Sequence, residues 1–127
     1  MKYVLDTHAA LWLLEGNEKL SQTARNIIYN DENEIYVSII SAWEIAVKVS
    51  LSKLVFAGGS EVFLSAVKEN NIELLGIKDD YIKIVEKLPY IHRDPFDRLI
   101  ISTVLSEDMT IITIDENIRK YNVLWTW

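Results

Sequence analysis

Short apolar runs with strand character alternate with longer stretches that have the periodicity of helices. Strands are predicted at residues 2–5, 34–37, 72–77 and 109–114, and 123–127 predicts a final strand. Helices are predicted at 8–14, after a Ser21 cap, from Ser41 to about Leu51, at 61–70 after a Ser60 cap, from Asp79 to about Leu88, at 95–106 after an Asp94 cap, and briefly from Asp115. This alternation predicts a single α/β domain, with a mainly parallel central sheet flanked by helices on both faces.

Carboxylates lie at the points where this architecture predicts a ligand site. Asp6 and Asp115 each follow a predicted strand, and Asp94 and Asp97 begin a predicted helix. Because ligands of parallel sheets bind beyond the carboxyl ends of the strands, we expect these acids to approach one another. Glu44 interrupts the apolar helix that begins at Ser41. Carboxylates held together in apolar surroundings need a cation, and oxygen ligands suit Mg²⁺ or Mn²⁺.

Each acid also has an ordinary structural explanation. Asp6, Asp94 and Asp115 could cap the helices that follow them, and Pro95 at the first helical position favours this for Asp94. Glu44 could pair with Lys48 one turn later, for a few tenths of a kcal/mol. Asp97 could interact with the helix dipole or pair with nearby Arg98. At this level the structural and chemical roles both remain open.

Other polar residues near the acids are weaker candidates. Thr7, Thr113, Asn117 and Ser41 could hydrogen-bond a carboxylate or the water around a metal, and for Ser41 we favour a cap or turn role. His8 and His92 are interpreted as structural or peripheral, because no nucleophile elbow accompanies them. Arg93 and Arg98 could contact phosphate or pair with neighbouring acids, and pairing is the preferred interpretation.

The composition narrows the setting of this chemistry. The 127 residues contain no cysteine, which excludes thiolate chemistry and disulfides, and the net charge is −6. Such acidity disfavours broad electrostatic adhesion to nucleic acid but leaves room for a metal-dependent enzyme or a basic partner. No apolar run approaches the roughly 20 residues that span a bilayer. We therefore expect a cytoplasmic protein with no membrane partner.

Four segments, taken in order, resemble the PIN-domain ribonucleases, especially the toxins of VapBC-type toxin–antitoxin pairs. They are Leu5-Asp6-Thr7-His8, Ser41-Ala42-Trp43-Glu44-Ile45, Arg93-Asp94-Pro95-Phe96-Asp97-Arg98-Leu99-Ile100 and Thr113-Ile114-Asp115. The resemblance places the family's four acids at Asp6, Glu44, Asp97 and Asp115. Asp94 matches a subgroup pattern and is a ligand, a cap or a supporting group. His8 departs from the Asn or Ser of many members.

The resemblance implies a metal-dependent endoribonuclease that uses Mg²⁺ or Mn²⁺, acts on RNA and leaves 5′-phosphate and 3′-hydroxyl ends. It also implies a cognate antitoxin and a homodimer. The run from Leu11 to Leu14 is a candidate docking surface, with core packing at least as good an explanation. Two alternatives stay open. One is a receiver-like Mg²⁺-binding signalling domain, although Lys78-Asp79-Asp80 matches its phosphoacceptor poorly; the other is an inactive PIN-like domain that binds a partner.

Overall fold

Five parallel strands form one sheet in the computed structural model, which describes residues 1–127. The strands are β1 (Lys2–Leu5), β2 (Glu34–Ser38), β3 (Glu73–Leu75), β4 (Thr110–Ile112) and β5 (Leu124–Thr126), in the order β3-β2-β1-β4-β5. The central strand β1 pairs with β2 and β4, so that Leu5 lies beside both Val37 and Ile112. The predicted parallel α/β sheet is thus confirmed, with β1 and β4 as neighbours.

Seven helices cover this sheet. They are α1 (Thr7–Glu15), α2 (Gln22–Ile28), α3 (Ile39–Ser50), α4 (Gly59–Glu69), α5 (Asp79–Lys87), α6 (Pro95–Glu107) and α7 (Glu116–Arg119). None combines the length and apolar character needed to cross a membrane.

Alternate residues of the three inner strands, β1, β2 and β4, belong to two separate cores. Leu5 packs with α1 to α4 on one face, whereas Val4 packs with α5, α6 and α7 on the other. Ile112 and Ile111 on β4 divide in the same way. This period of two follows from the strand pleat and requires apolar residues at every position of a strand covered on both faces.

Three predicted helix caps were wrong. Helix α3 begins at Ile39, because Ser38 at the end of β2 accepts the Ile40 N–H at 3.1 Å; Ser41 therefore lies inside the helix. Gly58, at a left-handed φ of 85°, occupies the N-cap position before α4 in place of Ser60. Lys78 precedes α5 without a side-chain cap, and Asp79 is in the first turn, where its charge complements the helix dipole.

Strands β3 and β4 are shorter than predicted. β3 spans Glu73–Leu75 rather than residues 72–77, and β4 spans Thr110–Ile112 rather than 109–114. The chain leaves β4 early because the Thr113 hydroxyl accepts the N–H of Asp115, which starts the turn into α7. The shortened strand delivers Thr113 and Asp115 to the same edge of the sheet as the end of β1.

Candidate active site

Asp6 joins the central strand to α1 and is almost fully buried, with 3% of its surface exposed. Its Oδ1 accepts the Ala9 N–H at 2.7 Å, which caps the helix. Its Oδ2 accepts a hydrogen bond from the Thr113 hydroxyl at the end of the neighbouring strand. The same hydroxyl oxygen accepts the N–H of Asp115 at 3.0 Å. Thr113 therefore ties two of the predicted acids together across the sheet edge.

Glu44 is equally buried, and it projects from the second turn of α3. The Thr7 hydroxyl donates to Glu44 Oε1 at 2.6 Å, and Thr7 Oγ1 lies 2.9 Å from the Ser41 hydroxyl, from which it can accept. Lys48 forms an ion pair with Glu44 Oε2. Ser41 thus supports the carboxylate through Thr7, in place of the cap or turn role favoured from the sequence.

Asp94 and Asp97 lie together at the start of α6. Asp94 Oδ1 accepts the N–H groups of Phe96 and Asp97, at 2.9 and 3.1 Å, and caps the helix as predicted. Asp97 Oδ2 lies 3.1 Å from His92 Nε2. His92 Nδ1 is 2.8 Å from the Tyr121 hydroxyl; if Tyr121 donates there, the ring proton lies on Nε2 and points at Asp97. His92 is thus part of the site and is not peripheral.

The charges of the acids act on one another. Burial, followed by the negative charges of Asp94, Asp115, Glu44 and Asp6, raises the pKa of Asp97 to about 8. Burial raises the pKa of Asp6 to about 6, against the opposing effect of the Thr113 and Ala9 hydrogen bonds. A carboxyl group whose pKa is raised by burial and by several surrounding acids marks a site with an excess of negative charge.

Lys48 is the one cation paired within this group. Partial burial opposes its charge, but the hydrogen bond from Lys48 to Glu44 and the charges of Glu44, Asp94 and Asp97 raise its pKa overall. One ammonium group therefore serves several acids, and the site as a whole remains short of positive charge.

The sequence profile of the PIN domain matches residues 3–124. The chain belongs to the PIN-domain family. The match confirms the resemblance drawn from the four sequence segments. It excludes the alternative of a receiver-like signalling domain. A comparison with curated proteins found no significant sequence relative.

Solved structures share the fold of this PIN domain over nearly its whole length. A chain of VapBC2 from Rickettsia felis, bound to a promoter DNA fragment, is 19% identical with a TM-score of 0.73, covering 100% of this chain and 99% of that one. A chain of DNA-bound VapBC from Salmonella typhimurium is 15% identical with a TM-score of 0.71, covering 99% and 97%. A chain of FitAcB from Neisseria gonorrhoeae is 16% identical with a TM-score of 0.68, covering 98% and 96%.

The acids of the PIN domain have the right chemistry for a hard cation but do not form a preassembled cage. No group of three or more acidic or histidine side chains is arranged to hold a metal ion. Thr7 and Lys48 occupy both oxygens of Glu44, while Asp6 is similarly engaged. In contrast, Asp94 and Asp115 use only Oδ1 for capping, so the second oxygen of each accepts no protein hydrogen bond. These oxygen donors, and the excess of negative charge around Asp97, suit a site for Mg²⁺ or Mn²⁺.

The remaining candidates lie at the margin of the PIN-domain site. Asn117 is exposed, and only its backbone N–H, at 2.8 Å, donates to Asp115. His8 is exposed and lies beside the Trp12 ring, where its charge favours ionised Asp6. Of the docking run, Leu11 and Leu13 are buried in the core, which agrees with the core-packing explanation for these two residues.

Neither arginine forms the ion pair favoured from the sequence. Buried Arg98 donates to the carbonyls of Val85, Leu88 and Pro89 and to the Tyr121 hydroxyl. Val85 and Leu88 lie at the end of α5, where carbonyls run short of helical donors, and Arg98 supplements the Leu88 N–H that reaches Val85. Arg93 is exposed and free of any ion pair. Only for Arg93 does contact with phosphate remain open.

Proposed function

We propose that this PIN-domain protein is a metal-dependent endoribonuclease and the toxin of a VapBC-type toxin–antitoxin pair. The observation that carries the proposal is the gathering of acids at the carboxyl edge of the PIN-domain sheet, where Asp6 and Glu44 are buried and the charges of four other acids act on Asp97. A structural cap or a surface ion pair would not require five carboxylates to share one electrostatic neighbourhood. A site that binds a divalent cation and then a phosphodiester does require it.

In this proposal Asp6, Glu44, Asp97 and Asp115 hold Mg²⁺ or Mn²⁺, and Asp94 contributes from its uncapped oxygen. When bound, the metal activates water and neutralises charge on the reacting phosphate and the leaving oxygen. Asp97 must release its proton for this, and His92 is placed 3.1 Å away to hold the ionised group in position.

Two hydroxyl groups orient the deepest carboxylates before any substrate arrives. Thr113 holds Asp6, and Thr7 holds Glu44, each by a short hydrogen bond from a fully or nearly fully buried position. Fixed orientation of ligands by such partners is a general requirement of metal sites. Asn117 remains a candidate for contact with surrounding water.

The partner is proposed to be a protein antitoxin. The solved structures with this fold include VapBC and FitAcB complexes, and the net charge of −6 favours a partner with basic groups. A basic side chain inserted among the acids would supply the charge that the site lacks. We further propose a homodimer within the complex and action in the cytoplasm, where its RNA substrates would lie.

The test is cleavage of end-labelled total RNA by purified protein freed of antitoxin, with Mg²⁺ or Mn²⁺. Discrete fragments with 5′-phosphate and 3′-hydroxyl ends should appear, and chelator or Asp6→Asn should abolish them. Asp31→Asn, a charge change at an exposed position away from the site, is the matched control and should cleave normally.

Products with 2′,3′-cyclic phosphate ends would contradict a route that does not use the RNA 2′-hydroxyl. Failure of folded protein with bound metal to cleave any RNA would favour the inactive, partner-binding alternative. Cleavage that survives in Asp6→Asn and in chelator would exclude the proposed site.

A further inference from the structure

An apolar groove of about 290 Å³ lies beside the acids, between α3, α5 and the start of α6. Trp43, Ile82, Val85 and Tyr90 form its apolar wall, and Arg93 lies at its edge. Trp43 immediately precedes Glu44, and the groove residue Pro95 immediately follows Asp94. The groove is therefore built on the same two segments that carry the acids.

The Trp43 ring is exposed yet fixed in orientation. It retains 53% of its accessible surface, although its helix is otherwise rich in buried residues. Phe96 packs against it edge to face, with 4.8 Å between ring centroids and 72° between planes. Phe96 in turn precedes Asp97. An exposed indole held in this way offers a flat surface with little conformational entropy left to lose on binding.

The charges around the groove differ from those of the site beside it. Arg93 is exposed and unpaired, and the Arg98 guanidinium lies beneath the Tyr90 ring, 4.4 Å from its centroid. In an acidic protein, a free cation beside an aromatic wall and next to a metal-binding candidate is unusual. A nucleotide whose base stacks on the aromatic ring could bring its phosphate to Arg93.

Resting on the proposed function, we propose that Trp43 is the stacking platform for an unpaired RNA nucleobase next to the scissile phosphate, with Arg93 contacting the adjoining phosphate. The occupant is a nucleobase because the groove has room for one small planar group, its Trp43 wall adjoins Glu44 in the chain, and Arg93 at its edge is free to bind a phosphate. A base has a flat face for the indole, and the phosphate attached to its nucleotide brings the negative charge that the unpaired Arg93 can bind. Stacking also restricts the substrate to single-stranded or splayed-out RNA.

The first measurement is binding without cleavage. Twelve-nucleotide homopolymers of adenosine, uridine and cytidine are titrated at low salt into Asp97→Asn protein, and then into the same protein with Trp43→Ala or Trp43→Phe. Trp43→Ala should weaken binding roughly 5- to 150-fold, the range for loss of one stacked base, whereas Trp43→Phe should restore most of it. Trp125→Ala removes a similarly exposed indole that lies on the edge strand β5, outside the groove, and should change little.

Arg93→Ala gives an independent measure of the phosphate contact. It should weaken binding of all three homopolymers similarly and reduce the salt dependence by about one phosphate contact. Unchanged salt dependence would remove Arg93 from the proposal.

The second measurement uses cleavage by the otherwise unaltered protein. Once a cleavage position is known, an abasic nucleotide is placed on either side of it. At the stacking position the abasic change should slow wild-type cleavage and have no further effect in Trp43→Ala, because base and ring act as one pair. Additive losses at both positions would overturn the pairing.

The outcomes separate this inference from the proposed function. Cleavage that does not depend on Trp43 overturns the stacking platform alone, whereas Trp43-dependent binding without cleavage overturns the nuclease alone. No measurable binding by the parent protein overturns the platform. A Trp43→Ala protein with normal RNA binding and an altered oligomeric state or antitoxin affinity would assign the groove to a protein partner.

Discussion

Replacement of Asp97 by Asn should stabilise the metal-free protein while abolishing the proposed activity. The folded chain holds Asp97 at a pKa of about 8, against 3.8 for an ordinary carboxyl group, because of burial and the four surrounding acids. Folding therefore favours the protonated form. As the pH rises from about 4 towards 8, the unfolded chain loses its proton first, and the free energy of unfolding falls. Asn has nearly the same shape and carries no charge to repel.

The size of the pKa shift of Asp97 sets the expected difference in the free energy of unfolding. Each pH unit within this window corresponds to about 1.4 kcal/mol, so at pH 7 the wild-type protein would be about 4 kcal/mol less stable than a form with a neutral residue at 97. The side chain is 15% exposed, and water there reduces the effect, so this is an upper value. At pH 4, close to the ordinary pKa of 3.8, the difference should fall below about 1 kcal/mol, because the unfolded chain then also carries much of the proton.

Urea unfolding, followed by tryptophan fluorescence in chelator at intervals from pH 4 to 8, measures the difference directly. The same series in a His92→Gln background removes the imidazole beside Asp97 and keeps a hydrogen-bond donor. Asp31→Asn should show no comparable pH-dependent gain. A difference between Asp97→Asn and wild type that is independent of pH, or a loss of stability at pH 7, would refute the convergence of charge on Asp97.

Three further outcomes follow from the same contacts. Isothermal titration should show the apparent Mg²⁺ or Mn²⁺ affinity rising up to about tenfold per pH unit between pH 6 and 8, and this dependence should be weaker in Asp97→Asn, because metal must displace the Asp97 proton. Thr113→Val should lower the unfolding free energy by about 1–3 kcal/mol in chemical denaturation, because valine leaves the Asp115 N–H without its acceptor. Thr113→Ser keeps the hydroxyl and should remain close to wild type. Arg98→Met should cost about 3 kcal/mol or more by thermal unfolding, and Arg98→Lys should recover only part of this, because lysine lacks the planar fork that reaches three carbonyls.

The parts of the fold set by local signals were predictable from the sequence. The double-sided apolar character of β1 and β4 predicts a covered parallel sheet, and the Asp94-Pro95 pair predicts the start of α6. The caps at Ser60 and Asp79 were wrong because the residue at the N-cap position lies two residues before Ser60 and one residue before Asp79. Local propensity does not decide between neighbouring starting points of similar free energy.

The contacts that support the acids could not be predicted in the same way. Thr7 is 37 positions from Glu44, and Thr113 is 107 positions from Asp6, so both pairs depend on the strand order. His92 is only five residues from Asp97, but their contact crosses an irregular loop that has no sequence periodicity. Composition therefore indicates which side chains have suitable chemistry, whereas topology decides which of them meet.

The structure also changes how the alternative roles of the acids should be weighed. From the sequence, helix capping and metal binding compete as explanations for Asp94 and Asp115. In the fold, one oxygen of each carboxylate caps a helix and the other stays without a protein partner. Capping fixes the carboxylate and costs the site only one of its two oxygens. Because parallel strands deliver helix starts to one edge, the residues that begin the helices are also those that can gather around a cation, and evidence for the cap is not evidence against the ligand.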